Sequence, residues 1–255
     1  MKVSIVTVAY NSQATIADTI QSVLSQTHPD IEYWVIDGAS TDRSLDIIRQ
    51  WEPRFEGRMH VLSERDGGIY DAMNKGIRRC TGDVIGILNS DDFFTSHTVI
   101  EQVVQAFTAD DDIDAVYGDV HFVAPDNLQR CVRYYSGRLY RPSLAPYGFM
   151  PPHPSLYVRR EVYYTYGQYL THFKISADYE FITRIFYCYK VPHRYLHLDM
   201  VTMRTGGAST ESYQSRMRGA EEDLLACRHL GIQTNRFKIF CKFFIKAFSS
   251  LTIRS

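Results

Sequence analysis

The sequence has no glycine in the turn after its first apolar run: "VSIVTVAYNSQAT" passes straight from strand-forming residues to Tyr10, Asn11 and Ser12. A dinucleotide site would need G-x-G-x-x-G there so that the backbone could approach a pyrophosphate. A P-loop would need its own glycines and lysine, and neither pattern is present. Cysteine is sparse and scattered: five residues (80, 131, 188, 227 and 241), an odd number, with no C-x-x-C spacing. That argues against a zinc centre or a disulfide framework and fits a reducing compartment. No window of eighteen residues is apolar and uncharged, so a membrane-spanning helix is not expected. The opening MKVSIVTVAYN carries Ser4, Thr7 and Tyr10 where a signal peptide would be apolar, so a cytosolic location is expected. An excess of one charge is also missing: 28 Lys and Arg stand against 29 Asp and Glu, which gives no electrostatic footprint for nucleic acid. No internal repeat or low-complexity linker interrupts the chain.

What is present is an alternation of short β-rich runs with helical periodicity. Strands are expected over 3–9, 33–36, 59–62, 84–88 and 114–117. Helices are expected between them, with Ile16, Ile20, Val23 and Leu24 on one face of the first and Leu45, Ile48 and Trp51 on one face of the second. A third helix is expected over 69–79 and a fourth near 97–107. Asn11 or Ser12 is the expected cap of the first helix and Ser40 of the second. Such alternation predicts a parallel sheet covered on both faces, with ligands bound beyond the carboxyl ends of its strands. The polar clusters Tyr10-Asn11, Asp37-Gly38, Glu64-Arg65-Asp66 and Asn89 to Asp92 all fall at those ends. After about residue 120 the periodicity weakens and tyrosine becomes frequent; those rings are expected mainly in the core.

The stretch "GILNSDDFF" places two adjacent carboxylates, Asp91 and Asp92, directly after a buried strand. An isolated Asp-Asp would read as a helix cap. At a strand end among three other polar clusters it reads as a ligand set for a divalent cation and a sugar hydroxyl, because Mg²⁺ and Mn²⁺ take oxygen ligands and share them with phosphate.

With those residues in view, the sequence resembles glycosyltransferase family 2, the inverting nucleotide-sugar transferases of the GT-A fold. "SIVTVAYN" is similar to the family's opening strand, "VIDGASTD" to its V-V-D-D-G-S-T-D segment, and "LNSDD" to its D-x-D-D motif. "DGGIYDAMNKGI" is similar to its G-x-x-x-A-R-N-x-G helix and "SADYEF" to its E-D-x-[DE]-[FL] motif. The resemblance runs over roughly residues 1–210 and implies an α/β fold with a mostly parallel, Rossmann-like sheet flanked by helices. Residues 211–255 would form a C-terminal helical extension. The wording "DGGIYDAMNKG" is similar to members that build bacterial capsule, exopolysaccharide or O-antigen units.

By that resemblance Tyr10 and Asp37 would contact the nucleobase, Asp66 the nucleoside, Asp91 the ribose and Asp92 a Mn²⁺ or Mg²⁺ ion. Asp178 would be the catalytic base. Arg204, beside Gly206-Gly207, would meet the diphosphate from a closing loop, and His153, between prolines, is a further candidate for the metal. Three positions depart from the family pattern: Asn89 for the motif's first aspartate, Gly38 for the second aspartate after the strand, and Met73 for a common arginine. The implied partners are a nucleotide-sugar donor, a UDP-sugar first, and a saccharide or polyprenyl-linked acceptor. Two other readings are a non-catalytic transferase-like nucleotide-binding subunit and a nucleotidyltransferase. The second would want a basic, glycine-rich loop after the first strand.

The tail "NRFKIFCKFFIKAFSSLTIRS" lies outside the resemblance. As a helix it would place Phe237, Phe240, Phe244, Phe248 and Leu251 in one stripe roughly 80° wide, with Lys238, Lys242 and Lys246 on an adjoining face. From Arg236 onward there are five basic residues and no acidic one. That pattern fits either a helix docked on the core or an interfacial helix on an anionic membrane, which would hold the protein on the inner face of the cytoplasmic membrane.

Overall fold

The computed structural model describes residues 1–206 and 213–241. Four parallel strands come first: β1 (Val3–Ala9), β2 (Ile31–Asp37), β3 (Met59–Ser63) and β4 (Val84–Ile87). All of β1 is buried, as a strand covered on both faces must be. The helices α1 (Ile16–Leu24), α2 (Ser44–Trp51) and α3 (Ile69–Ile77) connect them. α3 lies directly on β1 and β2 because Gly76 has no side chain. A Cβ there would come 2.3 Å from Val6 and 3.3 Å from Ile36. Burying each Val or Ile of this core is worth about 1.5–3 kcal/mol.

The expected caps are used differently. Thr15 N–H and Ile16 N–H bond the Ser12 backbone oxygen, so no side chain caps α1. The hydroxyl of Ser40 accepts Asn11 N–H at 2.9 Å, and Asp42 Oδ1 accepts Ser44 N–H at 2.9 Å to open α2. Asn11 Oδ1 accepts Thr41 N–H at 2.9 Å. These polar groups tie the β1–α1 and β2–α2 loops together, so the two strand ends present one joined surface.

The second half is less regular. A two-residue strand, β5 (Phe93–Phe94), follows the Asp91-Asp92 turn, then α4 (Val99–Thr108), β6 (Ala115–Ala124), β7 (Asn127–Tyr135), β8 (Tyr157–Arg159), α5 (Arg160–Tyr166), α6 (Ala177–Thr183), β9 (His193–Arg204) and α7 (Tyr213–His229). The strands form one nine-stranded sheet in the order β3-β2-β1-β4-β8-β6-β9-β5, with β7 paired to β6. β8 is antiparallel to both β4 and β6, and β6 pairs parallel with β9. The sheet is therefore parallel in its first half and mixed in its second. α6 passes into one π-helical turn, Arg184–Cys188, where Arg184 forms a buried pair with Glu180 and also bonds Tyr166 O and Gln168 O.

Most of the crowded tyrosines are core, with Tyr140, Tyr157, Tyr163 and Tyr169 all nearly inaccessible; Tyr164 is exposed. Of the tail, Phe237 is 80% exposed while Ile239 is buried, and Lys238 lies over the Tyr147 ring at 5.8 Å. Lys242, Phe244, Lys246, Phe248 and Leu251 fall outside the described residues, as does Gly207. Among the described residues no helix is long and apolar enough to cross a membrane.

Candidate active site

At the ends of β1, β2 and β3, the side chains of Tyr10 and Asp66 converge on Gly38. A Cβ at that position would sit 2.6 Å from Asp66 Oδ2 and 3.4 Å from the Tyr10 ring. The glycine that departs from the family pattern thus leaves the room in which Asp66 stands. Asp66 Oδ1 accepts Gly68 N–H at 2.9 Å, and Tyr10 is 64% exposed, an open ring against which a planar base could stack. Asp37 is fully buried. Its carboxylate accepts Ser63 Oγ–H at 2.6 Å and Ser40 N–H at 3.2 Å, so it ties the ends of β2 and β3 together beneath the surface.

The turn after β4 is built around a buried charge. Asp92 is 1% exposed, and Thr19 of α1 donates to its backbone oxygen at 2.7 Å. Ser22, also on α1, accepts Phe94 N–H, and Ser12 and Ser90 share a hydrogen bond of 2.7 Å. One helix face therefore fixes the turn's backbone. Burial pushes Asp92 well above the usual carboxylate range, and the Asp91 charge adds to this; Asn89 and Arg204 pull the other way. Burial raises Asp91 too, against the pull of Arg204. Asn89 Nδ2 donates to Asp92 Oδ2 at 3.3 Å, while Asn89 Oδ1 is buried with no hydrogen-bond partner among the described residues. An orphaned amide oxygen beside two crowded carboxylates is an all-oxygen donor set of the kind Mg²⁺ and Mn²⁺ take. No group of three His, Cys, Asp or Glu side chains poised for a metal occurs among the described residues. An ion here would complete its shell with phosphate oxygens and water.

Arg204 closes the far side. It donates through Nη1 to the Asp91 backbone oxygen at 2.6 Å, pairs with Asp18 of α1, and lies 5.1 Å over the Phe93 ring.

Asp178 occupies the first turn of α6. Its Oδ1 accepts the Tyr70 hydroxyl of α3 at 3.1 Å, and the same hydroxyl lies 2.5 Å from Ile175 O. Burial, then the Asp178 charge, push the Tyr70 phenol well above its ordinary value, so it remains a donor. Among the described residues no donor reaches Asp178 Oδ2. His153 is buried, and its Nε2 bonds the Tyr169 hydroxyl at 2.8 Å. Burial lowers its pKa, with the Asp178 charge opposing, so the imidazole stays neutral near pH 7.

Residues 4–167, well over half the chain, match the sequence model described as "Glycosyl transferase family 2". The chain belongs to glycosyltransferase family 2. It is 28% identical over 204 residues to a "PGL/p-HBAD biosynthesis glycosyltransferase" of Mycobacterium tuberculosis (strain ATCC 25177 / H37Ra), covering 80% of this chain and 77% of that one. Its fold is GT-A. It superposes on Staphylococcus aureus TarS 1–349 in complex with UDP-GlcNAc with a TM-score of 0.69 at 17% identity, over 98% of this chain and 73% of that one. Of the longer TarS chain it spans 44%. It also superposes on the Pyrobaculum calidifontis mannosyltransferase PcManGT in complex with GDP-Man and Mn²⁺, with a TM-score of 0.66 at 18% identity, over 93% and 67% of the two chains.

Within this glycosyltransferase, Tyr10 and Asp66 share one surface around Gly38, while Asp91, Asp92 and Arg204 share another at the end of β4. Asp37 lies beneath the first surface, and His153 is committed to Tyr169. Sequence reasoning did not single out Thr19, Ser22 or Tyr70. Thr19 carried a signal, a polar residue among the apolar positions of α1; Tyr70 read as one more aromatic in a helix.

Proposed function

We propose that this protein is a metal-dependent inverting glycosyltransferase that moves a sugar from a nucleotide-sugar, a UDP-sugar first, to a saccharide or lipid-linked acceptor. The observation that carries this reading is the β4 turn, where buried Asp92, crowded by Asp91, stands beside the unpartnered Asn89 Oδ1. A buried carboxylate with a like charge beside it in sequence is costly without a cation, and a strand end in a parallel sheet is where a ligand would relieve it.

In this reading Tyr10 stacks on the base, Asp66 meets the nucleoside and Asp91 the ribose, with Asp37 supporting their loops from below. Asp92 and Asn89 would hold the Mn²⁺ or Mg²⁺ ion. When bound, the ion neutralises the charge that develops on the departing diphosphate. Arg204 stands by to add a guanidinium to the same phosphates. Asp178 takes the proton of an acceptor hydroxyl as that oxygen attacks the anomeric carbon; the bond from that carbon to the diphosphate oxygen breaks, and the nucleoside diphosphate leaves. The Tyr179 N–H and the Tyr70 hydroxyl hold Oδ1 of the carboxylate, which leaves Oδ2 for the acceptor hydroxyl. The displacement is single and inverts the anomeric centre, with no covalent enzyme intermediate.

The test is a thermal-shift series with UDP-GlcNAc, UDP-glucose, UDP-galactose and GDP-mannose, each with and without Mn²⁺. A ligand at 100 times its Kd stabilises by about 2.7 kcal/mol. One donor should raise the melting temperature by several degrees only when Mn²⁺ is present. No shift with any donor would remove the reading.

The acceptor side favours a membrane surface. The name of the mycobacterial relative places that protein in PGL/p-HBAD biosynthesis. Among the described residues of the tail, Ile239 is buried while Phe237 stands 80% exposed. Each lysine meeting anionic lipid would add about 1 kcal/mol. Flotation with phosphatidylglycerol liposomes should carry the full chain, in a salt-sensitive manner, and leave a 1–234 truncation behind. Equal behaviour of the two would remove the membrane from the account.

A further inference from the structure

The segment just before Asp178 is held from outside the family-matched region. Three successive backbone N–H groups, those of Lys174, Ile175 and Ser176, converge on one oxygen of Glu222, Oε2, at 2.9, 2.7 and 3.1 Å. Glu222 belongs to α7, is 8% exposed, and has its other oxygen engaged by Arg218 Nε at 3.3 Å. Ser176 Oγ–H bonds the Gly219 backbone oxygen at 3.1 Å. A Cβ at Gly219 would stand 3.4 Å from the Ile175 side chain, so α7 packs directly on the segment. One turn further along, the Tyr179 hydroxyl lies 3.0 Å from Cys227 Sγ.

The held segment carries both groups that set Asp178. Ile175 supplies the backbone oxygen 2.5 Å from the Tyr70 hydroxyl, and Ser176 immediately precedes α6. The Lys174 ammonium reaches back to Gly67 O at 3.2 Å, at the turn that opens α3. The three N–H groups have no helix partner of their own, and a carboxylate is a strong acceptor for such a set. Glu222 is the one side chain among the described residues that gathers all three N–H groups.

We propose that Glu222 is a positioning residue for Asp178: by gathering the N–H groups of residues 174–176 it sets the direction in which the carboxylate meets Tyr70 and the acceptor. α7 is then a working part of the transferase, although the family match ends before it. The inference rests on the reading that Asp178 takes the acceptor proton.

The experiment measures UDP release, with water as the acceptor, from the donor selected by thermal shift, together with UDP binding by calorimetry in the presence of Mn²⁺. Glu222→Ala removes the acceptor. Glu222→Asp keeps the charge but is one methylene short. Each folded variant should lose at least tenfold in kcat while its Kd for UDP stays within about twofold of wild type. Glu222→Gln retains an amide oxygen for the three donors and should recover most of the rate. In an Asp178→Asn background, Glu222→Asp should cost nothing further, because residues that act as a unit are not additive. A folded Glu222→Asp protein with wild-type kcat overturns the proposal, and so does a further loss on top of Asp178→Asn. If Asp178→Asn alone keeps its rate, the base assignment itself has failed, a result distinct from either of these.

Discussion

Asp92→Asn separates what the acidic turn does for binding from what it does to the fold. The substitution keeps the shape of the side chain and leaves an oxygen to accept Asn89 Nδ2–H, while the backbone bond from Thr19 is untouched. What it removes is a charge in a site 1% exposed, beside a second carboxylate. A buried polar group left without full compensation costs about 1–3 kcal/mol, and more when charged. In a chain of this size 1 kcal/mol moves the melting temperature by about 2–4 °C, so the metal-free variant should melt about 2–12 °C above wild type at pH 8. The direction with pH follows from the raised pKa. Below the unfolded carboxylate pKa of about 4 both states of the wild type are protonated and the variant gains nothing. As pH rises through the elevated folded value, the wild type loses stability and the gap opens. Adding Mn²⁺ with UDP should stabilise wild type and leave Asp92→Asn almost unmoved. The assay is a pair of melting series, at pH 4.5 and pH 8, each with and without Mn²⁺ and UDP. A variant that melts with wild type at both pH values, and still gains from Mn²⁺ with UDP, would refute the reasoning.

Other consequences are local. Gly38→Ala puts a methyl group 2.6 Å from Asp66 Oδ2, so Asp66 must swing away; calorimetry should show UDP binding weakened about tenfold, worth roughly 1.4 kcal/mol, with little change in melting. Glu32 lies away from the site. Burial alone would raise its pKa, but hydrogen bonds from Ser4 and Thr81 and the Lys2 ammonium outweigh it and hold it at about 2. Stability from this depressed carboxylate is present above pH 4.5 and lost as pH falls toward 2. After discounting for solvent at Lys2 it amounts to about 2 kcal/mol, so Glu32→Gln should melt several degrees below wild type at pH 7 in a scan that converges at pH 2–3.

The first half of the fold was legible because its rules are local. β1 begins and ends where its apolar run does, and β2, β3 and β4 differ from expectation by one or two residues at an end. The second half obeys contacts the periodicity does not carry. β7 is exposed along most of its length, so it has no apolar alternation, and β8 has only three residues. β9 mixes histidine, tyrosine and arginine with apolar residues because one of its ends lines the site. The carboxylates Asp66, Asp91 and Asp92 stood out as polar residues at strand ends, whereas Asp178 was marked only by the resemblance of "SADYEF" to a family motif. Their supports did not, since Thr19 acts 73 residues from Asp92, Tyr70 acts 108 from Asp178, and Glu222 acts 46 from Ser176. The Gly38 departure is explained only by the neighbouring Asp66, which sequence spacing could not place against it.

Asp178 is the group proposed to take the acceptor proton while the β4 turn holds the donor. Steady-state release of UDP by Asp178→Asn, beside wild type and with the donor saturating, tests this most directly. General-base removal predicts a loss of about 10²–10⁴ in kcat with the donor KM within a few-fold of wild type. A variant that keeps a third or more of the wild-type kcat contradicts it.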